Sequence, residues 1–204
     1  MPDAYLQPYR EAHSRHGAEF DVTMWASPVT QRLRFEVFAQ LVDFTGKRVL
    51  DAGCSRGDFA AYLLERGIEY GHYVGIDGLG EVVEHARARG LPRSRFEVGD
   101  FVERPEWLTT DRPEIVTISG SLNTMDLPTA IRVLEGAWAG ADEALLFNFL
   151  SDRAGAMAPP QEYPAHRLPT LELLDWALRK TPQVRMTQDY FDHGHDATVL
   201  MRRG

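Results

Sequence analysis

The stretch Val49-Leu50-Asp51-Ala52-Gly53-Cys54-Ser55-Arg56-Gly57-Asp58-Phe59 places a carboxylate at the end of an apolar run, glycines in the turn that follows, and a helical pattern directly after it. Side chains are excluded where a ligand lies against backbone. Gly53 lets the chain turn sharply at the carboxyl edge of a strand, and Gly57 lets a helix start pack close to strand and ligand. The spacing is Gly-x-x-x-Gly and not the Gly-x-Gly-x-x-Gly of dinucleotide sites, so a turn holding a nucleoside and an amino-acid tail fits better than a pyrophosphate cradle. Twenty residues beyond Gly57 comes Ile76-Asp77-Gly78, an acid placed to accept hydrogen bonds from both hydroxyls of a ribose. A third strand pattern ends in Gly99-Asp100-Phe101. Single carboxylates near helix starts are often only caps. Asp51, Asp77 and Asp100, at the ends of three successive strands on one rim, read as a binding edge.

The elements that must position this edge follow from periodicity. Short apolar runs alternate with helical patterns from Lys47 onward, as in βαβ units with a parallel sheet. Strands are expected at 48–52, HYVGID, RFEVGD, 114–119 and 143–150, the last apolar enough to be central. Helices are expected at 58–66, over LGEVVEHARARG, at 126–139 from Leu127, Ile131, Leu134 and Trp138, and at 169–180 from Leu171, Leu174 and Leu178. Ser27-Pro28 has the form of a helix cap with proline in the first turn and opens a helix at 28–42. QVRMTQDYF, turn residues around Gly194 and ATVLMRR read as a closing antiparallel hairpin. Residues 151–167, with three prolines, form a long loop of a kind that is often functional. Residues 1–25 are polar and aromatic without a clear period, and Pro2 and Pro8 argue against a long helix. They are expected to form an arm or lid, with residues 26–204 as the domain proper. The fold class is α/β, a doubly wound, mostly parallel, Rossmann-like sheet with a C-terminal antiparallel hairpin and an N-terminal helical arm.

Composition narrows the partners. At roughly 150 residues per domain, 204 residues make one domain with an appendage. A net charge of −8 repels phosphate backbones and anionic lipid, which argues against nucleic acid or membrane partners and for a small-molecule substrate. Without a long apolar stretch or the apolar core of a signal peptide, the expected location is cytoplasmic. Cys54 is the single cysteine, so an internal disulfide or a cysteine-based metal site is not available. His193-x-His195 with Asp192 and Asp196 is better read as an exposed turn than as a metal site, which needs three or four convergent ligands. Cys54 as a nucleophile would need its pKa lowered, with Arg56 near in sequence, but a small residue in a binding turn is the simpler account.

The set DAGCSRG, VGID and VGDF, with a fourth strand and a closing hairpin, resembles the class I S-adenosylmethionine-dependent methyltransferases over about residues 26–203. The resemblance implies a seven-stranded sheet with the last strand inserted antiparallel, and S-adenosylmethionine as the cofactor. It places the methionine part at Gly53 and Cys54, with Asp51 ordering the loop and Gly57 beside it. Asp77 would take the ribose, with Gly78 and Leu79 along the adenine. Asp100 and Phe101 would hold the adenine edge, and Ser119 and Gly120 would lie beneath the methyl donor. Ser55 departs from the glycine more usual there, which leaves the loop path open if the position needs positive φ. Ser119-Gly120-Ser121-Leu122-Asn123, LFNFLS and the segment around Trp25 resemble, more weakly, a bacterial branch likened to trans-aconitate methyltransferases. The acceptor walls would come from Trp25, Asn123, Asn148, Tyr163 and His166, with Tyr5, Tyr9 and His13 closing from above. Arg34 is either a partner for the cofactor's carboxylate or part of a solvated face. The expected function is methyl transfer to an oxygen or nitrogen of a small molecule. A non-catalytic cofactor-binding relative remains open, and so, more remotely, does a nicotinamide-dependent oxidoreductase.

Overall fold

A computed structural model describes residues 5–17, 19–161 and 163–204. The start of the arm, residues 1–4, and Ala18 lie outside the described residues. The arm opens with α1 (Gln7–His16), a short helix of 10 residues in a stretch where the sequence argued only against a long one. Pro8 stands in its first turn, where the missing N–H has no intrahelical partner to lose. A 3₁₀ turn at Phe20–Thr23 follows. α2 (Pro28–Leu41) begins at a capping box in which the Ser27 hydroxyl accepts from the Thr30 N–H and the Thr30 hydroxyl accepts from the Ser27 N–H, both at 3.2 Å.

Five strands and four helices come next: β1 (Arg48–Ala52), α3 (Asp58–Glu65), β2 (His72–Asp77), α4 (Gly80–Ala88), β3 (Ser94–Val98), β4 (Ile115–Ile118), α5 (Leu127–Gly140), β5 (Ala144–Leu150) and α6 (Thr170–Lys180). β6 (Val184–Thr187) and β7 (Asp196–Arg202) close the chain. The seven strands lie in the order β3-β2-β1-β4-β5-β7-β6. β1 to β5 run parallel, and β7 is inserted antiparallel between β5 and β6, pairing Leu146 with Leu200. β6 ends four residues before the expected strand does, and 188–195 form the connection. The strand order reverses beside β1, with β2 on one side and β4 on the other. At such a switch point the helices diverge to opposite faces and leave a crevice at the carboxyl edge.

Alternate residues of each strand feed two cores. Val49, Tyr73 and Leu146 pack under α2, α3 and α4 with Phe38, Phe59 and Val83, while Leu50, Val74 and Phe147 pack under α5 and α6 with Leu134 and Trp176. All seven residues of β5 are buried, as expected of a central strand. α6 forms where its leucines mark it, but its buried face carries Leu173, Trp176 and Ala177, and Leu171 and Leu178 point to solvent. Among the described residues no helix is long and apolar enough to cross a membrane.

Candidate active site

The floor of the crevice is the turn after β1. Gly53 takes φ +81°, and a Cβ there would stand 1.8 Å from the Ser121 hydroxyl oxygen, so only glycine fits. The N–H groups of Gly53 and Cys54 both donate to the Ile76 carbonyl, at 2.8 and 3.0 Å, which ties the turn to β2. Ser55 does sit at positive φ, +45°, the geometry that put its loop path in question. Its N–H compensates by donating to Asp77 Oδ2 at 2.9 Å. Gly57, φ +71°, opens α3 with its bare α-carbon packed on the Phe96 ring.

The three strand-end aspartates have three different environments. Asp51 is buried and does not line the crevice; its carboxylate accepts from the Tyr73 hydroxyl at 2.6 Å and the Thr117 hydroxyl at 3.0 Å. Burial lifts its pKa to about 6 against those two hydrogen bonds. It braces β1, β2 and β4 from inside, as a loop-ordering group would. Asp77 lies on the crevice wall, accepting from the Ser55 N–H and, at 3.0 Å, from the Leu79 N–H. Each oxygen has one backbone partner and room for another donor. Burial raises its pKa as well. Asp100 also lines the wall, but its Oδ1 accepts from the Val102 and Glu103 N–H groups at 3.0 and 3.1 Å and from the Tyr5 hydroxyl.

The loop after β4 makes the next wall. Ser119, Gly120 and Phe101 line the crevice as expected. The Gly120 N–H donates to Asn148 Oδ1 at 2.7 Å, and the Asn148 amide donates to the Ser119 hydroxyl at 3.2 Å. Asn148 does not line the crevice; it is fully buried and shapes the loop from beneath. Asn123 does reach the crevice, held by the Leu150 N–H on its Oδ1 at 2.9 Å. Tyr163 is 88% exposed and off the site, because the 151–167 loop turns outward there. His166 holds the Met125 carbonyl and, with His13, stays off the lining.

Cys54 is buried with its sulfur against Gly75, and burial together with the Asp77 and Asp51 carboxylates drives the thiol pKa up, the wrong direction for a nucleophile. Its side chain and Gly57 lie behind the wall, whereas Gly53, Ser55 and Gly78 form it. Arg34 meets neither expectation. It is buried, with its guanidinium on Asp196 at 2.5 and 2.8 Å and stacked on the rings of Trp25 and Phe191 at 4.2 and 4.6 Å. The partner lies 162 positions away, so nothing local in the sequence pointed to it.

The arm forms the roof. Leu6 covers Gly78, where a Cβ would be 3.0 Å from its methyls, and Val22 packs with Leu79 and Val82. The Tyr9 hydroxyl bonds Thr124 and is pushed up to about 12 by burial. Trp25 lies on Gly120 so closely that a Cβ would stand 2.4 Å from the indole. The arm was expected over the acceptor; it covers the β2 and β3 rims as well. Ser121, Thr124, Met125 and Leu6 were missed as lining residues because 3₁₀ and coil segments carry no periodic signal. The cavity within the crevice measures about 110 Å³ and opens to solvent.

Residues 43–137, which contain all three aspartates and the turn between β1 and α3, match the model of a methyltransferase domain family. The match marks that stretch as a methyltransferase domain. No curated protein matches it in sequence. Solved structures with the same fold include magnesium protoporphyrin IX methyltransferase from Synechocystis PCC 6803 with bound S-adenosylhomocysteine, at 13% identity and TM-score 0.67, covering 100% of this chain and 98% of that one. An O-methyltransferase family protein from Burkholderia thailandensis aligns at 18% identity and TM-score 0.74, over 98% of this chain and 64% of that one. A phosphoethanolamine N-methyltransferase from Haemonchus contortus aligns at 14% identity and TM-score 0.73, over 98% and 48%.

Proposed function

We propose that the methyltransferase domain binds S-adenosylmethionine in this crevice and methylates an oxygen or nitrogen of a small molecule. One observation carries the reading. Asp77, at the end of β2, faces the crevice with only backbone N–H partners, beside a turn whose Gly53 admits no side chain. That is the chemistry a vicinal diol needs next to a backbone-lined slot. Gly78 and Leu79 would flank the adenine, Phe101 and the backbone after Asp100 its edge, and Ser119 and Gly120 the sulfonium end. The cofactor, when bound, supplies an electrophilic methyl group, so no nucleophilic residue of the protein is required. The protein's part is to hold the acceptor in line, a contribution that reaches several kcal/mol. The roof made by Tyr5, Tyr9 and Trp25 would exclude water from that line.

The test is calorimetric titration with S-adenosylmethionine and S-adenosylhomocysteine. Asp77→Asn is expected to weaken both by about one to two decades, the worth of roughly 1.5–3 kcal/mol for a charge-assisted hydrogen bond. An unchanged dissociation constant in a folded Asp77→Asn protein removes the ribose assignment. Release of S-adenosylhomocysteine from S-adenosylmethionine in the presence of a metabolite extract separates an enzyme from a non-catalytic binder.

A further inference from the structure

Beyond the nucleoside end the crevice is walled by Trp25, Ser121, Asn123, Thr124 and Met125, with the Tyr9 ring above. These groups are aromatic, thioether, hydroxyl and carboxamide. Among the described lining residues the only groups charged at neutral pH are the carboxylates of Asp77 and Asp100, and there is no lysine, arginine or histidine. The basic side chains nearby are already engaged. Arg34, stacked on the Trp25 ring, is paired with Asp196, and His166 is held on the Met125 carbonyl.

We infer that this cleft selects an uncharged, flat, largely apolar acceptor carrying a hydroxyl or amine, and rejects anionic ones. The inference rests on reading the cleft as the methyl-transfer site. A carboxylate drawn into such a pocket gives up its hydration and finds no counter-ion on the protein, a cost of several kcal/mol. The −8 charge of the chain and the Asp77 and Asp100 carboxylates add repulsion on approach. A flat apolar ring, in contrast, gains from the indole of Trp25, which Gly120 on one element and Arg34 on another hold in place, and from the adaptable Met125 thioether. Ser121, Asn123 and Thr124 offer neutral hydrogen-bonding groups that can orient a hydroxyl or amine without demanding charge. A polycarboxylate acceptor, as the weak likeness to trans-aconitate methyltransferases would imply, has no partner in this lining.

The decisive experiment titrates the full chain, saturated with S-adenosylhomocysteine, with 2-naphthol and with 2-naphthoate, a pair of equal ring size that differs in charge. 2-Naphthol is expected to saturate below millimolar concentration and 2-naphthoate to bind at least tenfold more weakly. In Thr124→Lys the naphthoate affinity is expected to rise at least tenfold, with the S-adenosylhomocysteine titration reporting that the variant is folded. Naphthoate binding as tightly as naphthol to the unaltered protein overturns the inference. So does the absence of saturable naphthol binding while S-adenosylhomocysteine binds normally. If S-adenosylhomocysteine itself fails to bind, the cofactor reading is what fails, and the same pair titrated without it still decides the charge preference.

Discussion

Along the floor of the crevice, Asp77 is fixed by the N–H groups of Ser55 and Leu79, both at the carboxyl ends of adjacent parallel strands. Over the roof, Tyr5 meets Asp100 across 95 positions of sequence and Trp25 is clamped by Arg34, whose own partner lies in β7. The floor is built from backbone, with geometry set by strand register and by glycines that have no steric alternative. The roof is built from side chains, and each of its anchors depends on contacts with another element of the fold. A site of this kind has a rigid base and a cover with a separate and more fragile support.

The largest effect separating the two is expected at the roof's anchor. Arg34→Met leaves Asp196 buried without its cation, and losing one partner of a buried pair costs about 3–5 kcal/mol. Arg48→Met, whose partners Glu114 and Asp142 are exposed or half-buried, is expected to cost less than about 1 kcal/mol. Urea unfolding of the two variants checks the contrast, and equal losses would mean that the Arg34 pair does not carry the cover.

A slightly smaller effect belongs to the floor and depends on pH. Burial holds the Asp51 pKa at about 6, while the unfolded chain titrates near 4. Between those values the native state keeps a proton that the unfolded state has lost. The stability contributed by this group is therefore complete below pH 4 and declines as pH rises through 6, by about 3 kcal/mol. Asp51→Asn cannot ionise, so the unfolding free energy of the unaltered protein should fall relative to the variant between pH 4 and pH 7. A constant difference across that range would show that Asp51 ionises as it does in the unfolded chain.

The smallest of the three sharpens the boundary between floor and roof. Removing residues 1–17 takes away Tyr5, Leu6 and Tyr9 but leaves Val22, Trp25 and the whole floor. S-adenosylhomocysteine affinity is expected to drop about tenfold, roughly 1.4 kcal/mol, because Leu6 covers Gly78 and Tyr5 engages Asp100. A loss below threefold would place the arm over the acceptor alone, as the sequence suggested.

The floor was legible in the sequence for a physical reason. Gly53 and Gly57 mark backbone positions that reject a Cβ, and the aspartates at 51, 77 and 100 terminate apolar runs whose period already announces strands. The capped start of α2 and the closing hairpin follow from rules of similar range, while the antiparallel insertion of the last strand came from the family resemblance. The same locality hid α1, where Pro8 and an aperiodic mixture of aromatics concealed a helix whose Tyr9 lines the crevice.

What the sequence by itself determined is the α/β sheet and the carboxyl-edge binding turn, because both are written in adjacent residues and in periods of two and three and a half. Only the tertiary structure decided which side chains meet. It turned Asn148 into a buried brace for Gly120, sent Tyr163 to solvent and gave Arg34 to Asp196. Those outcomes depend on contacts between segments far apart in the chain, and a buried charge or amide takes whichever partner the packing brings within hydrogen-bond distance.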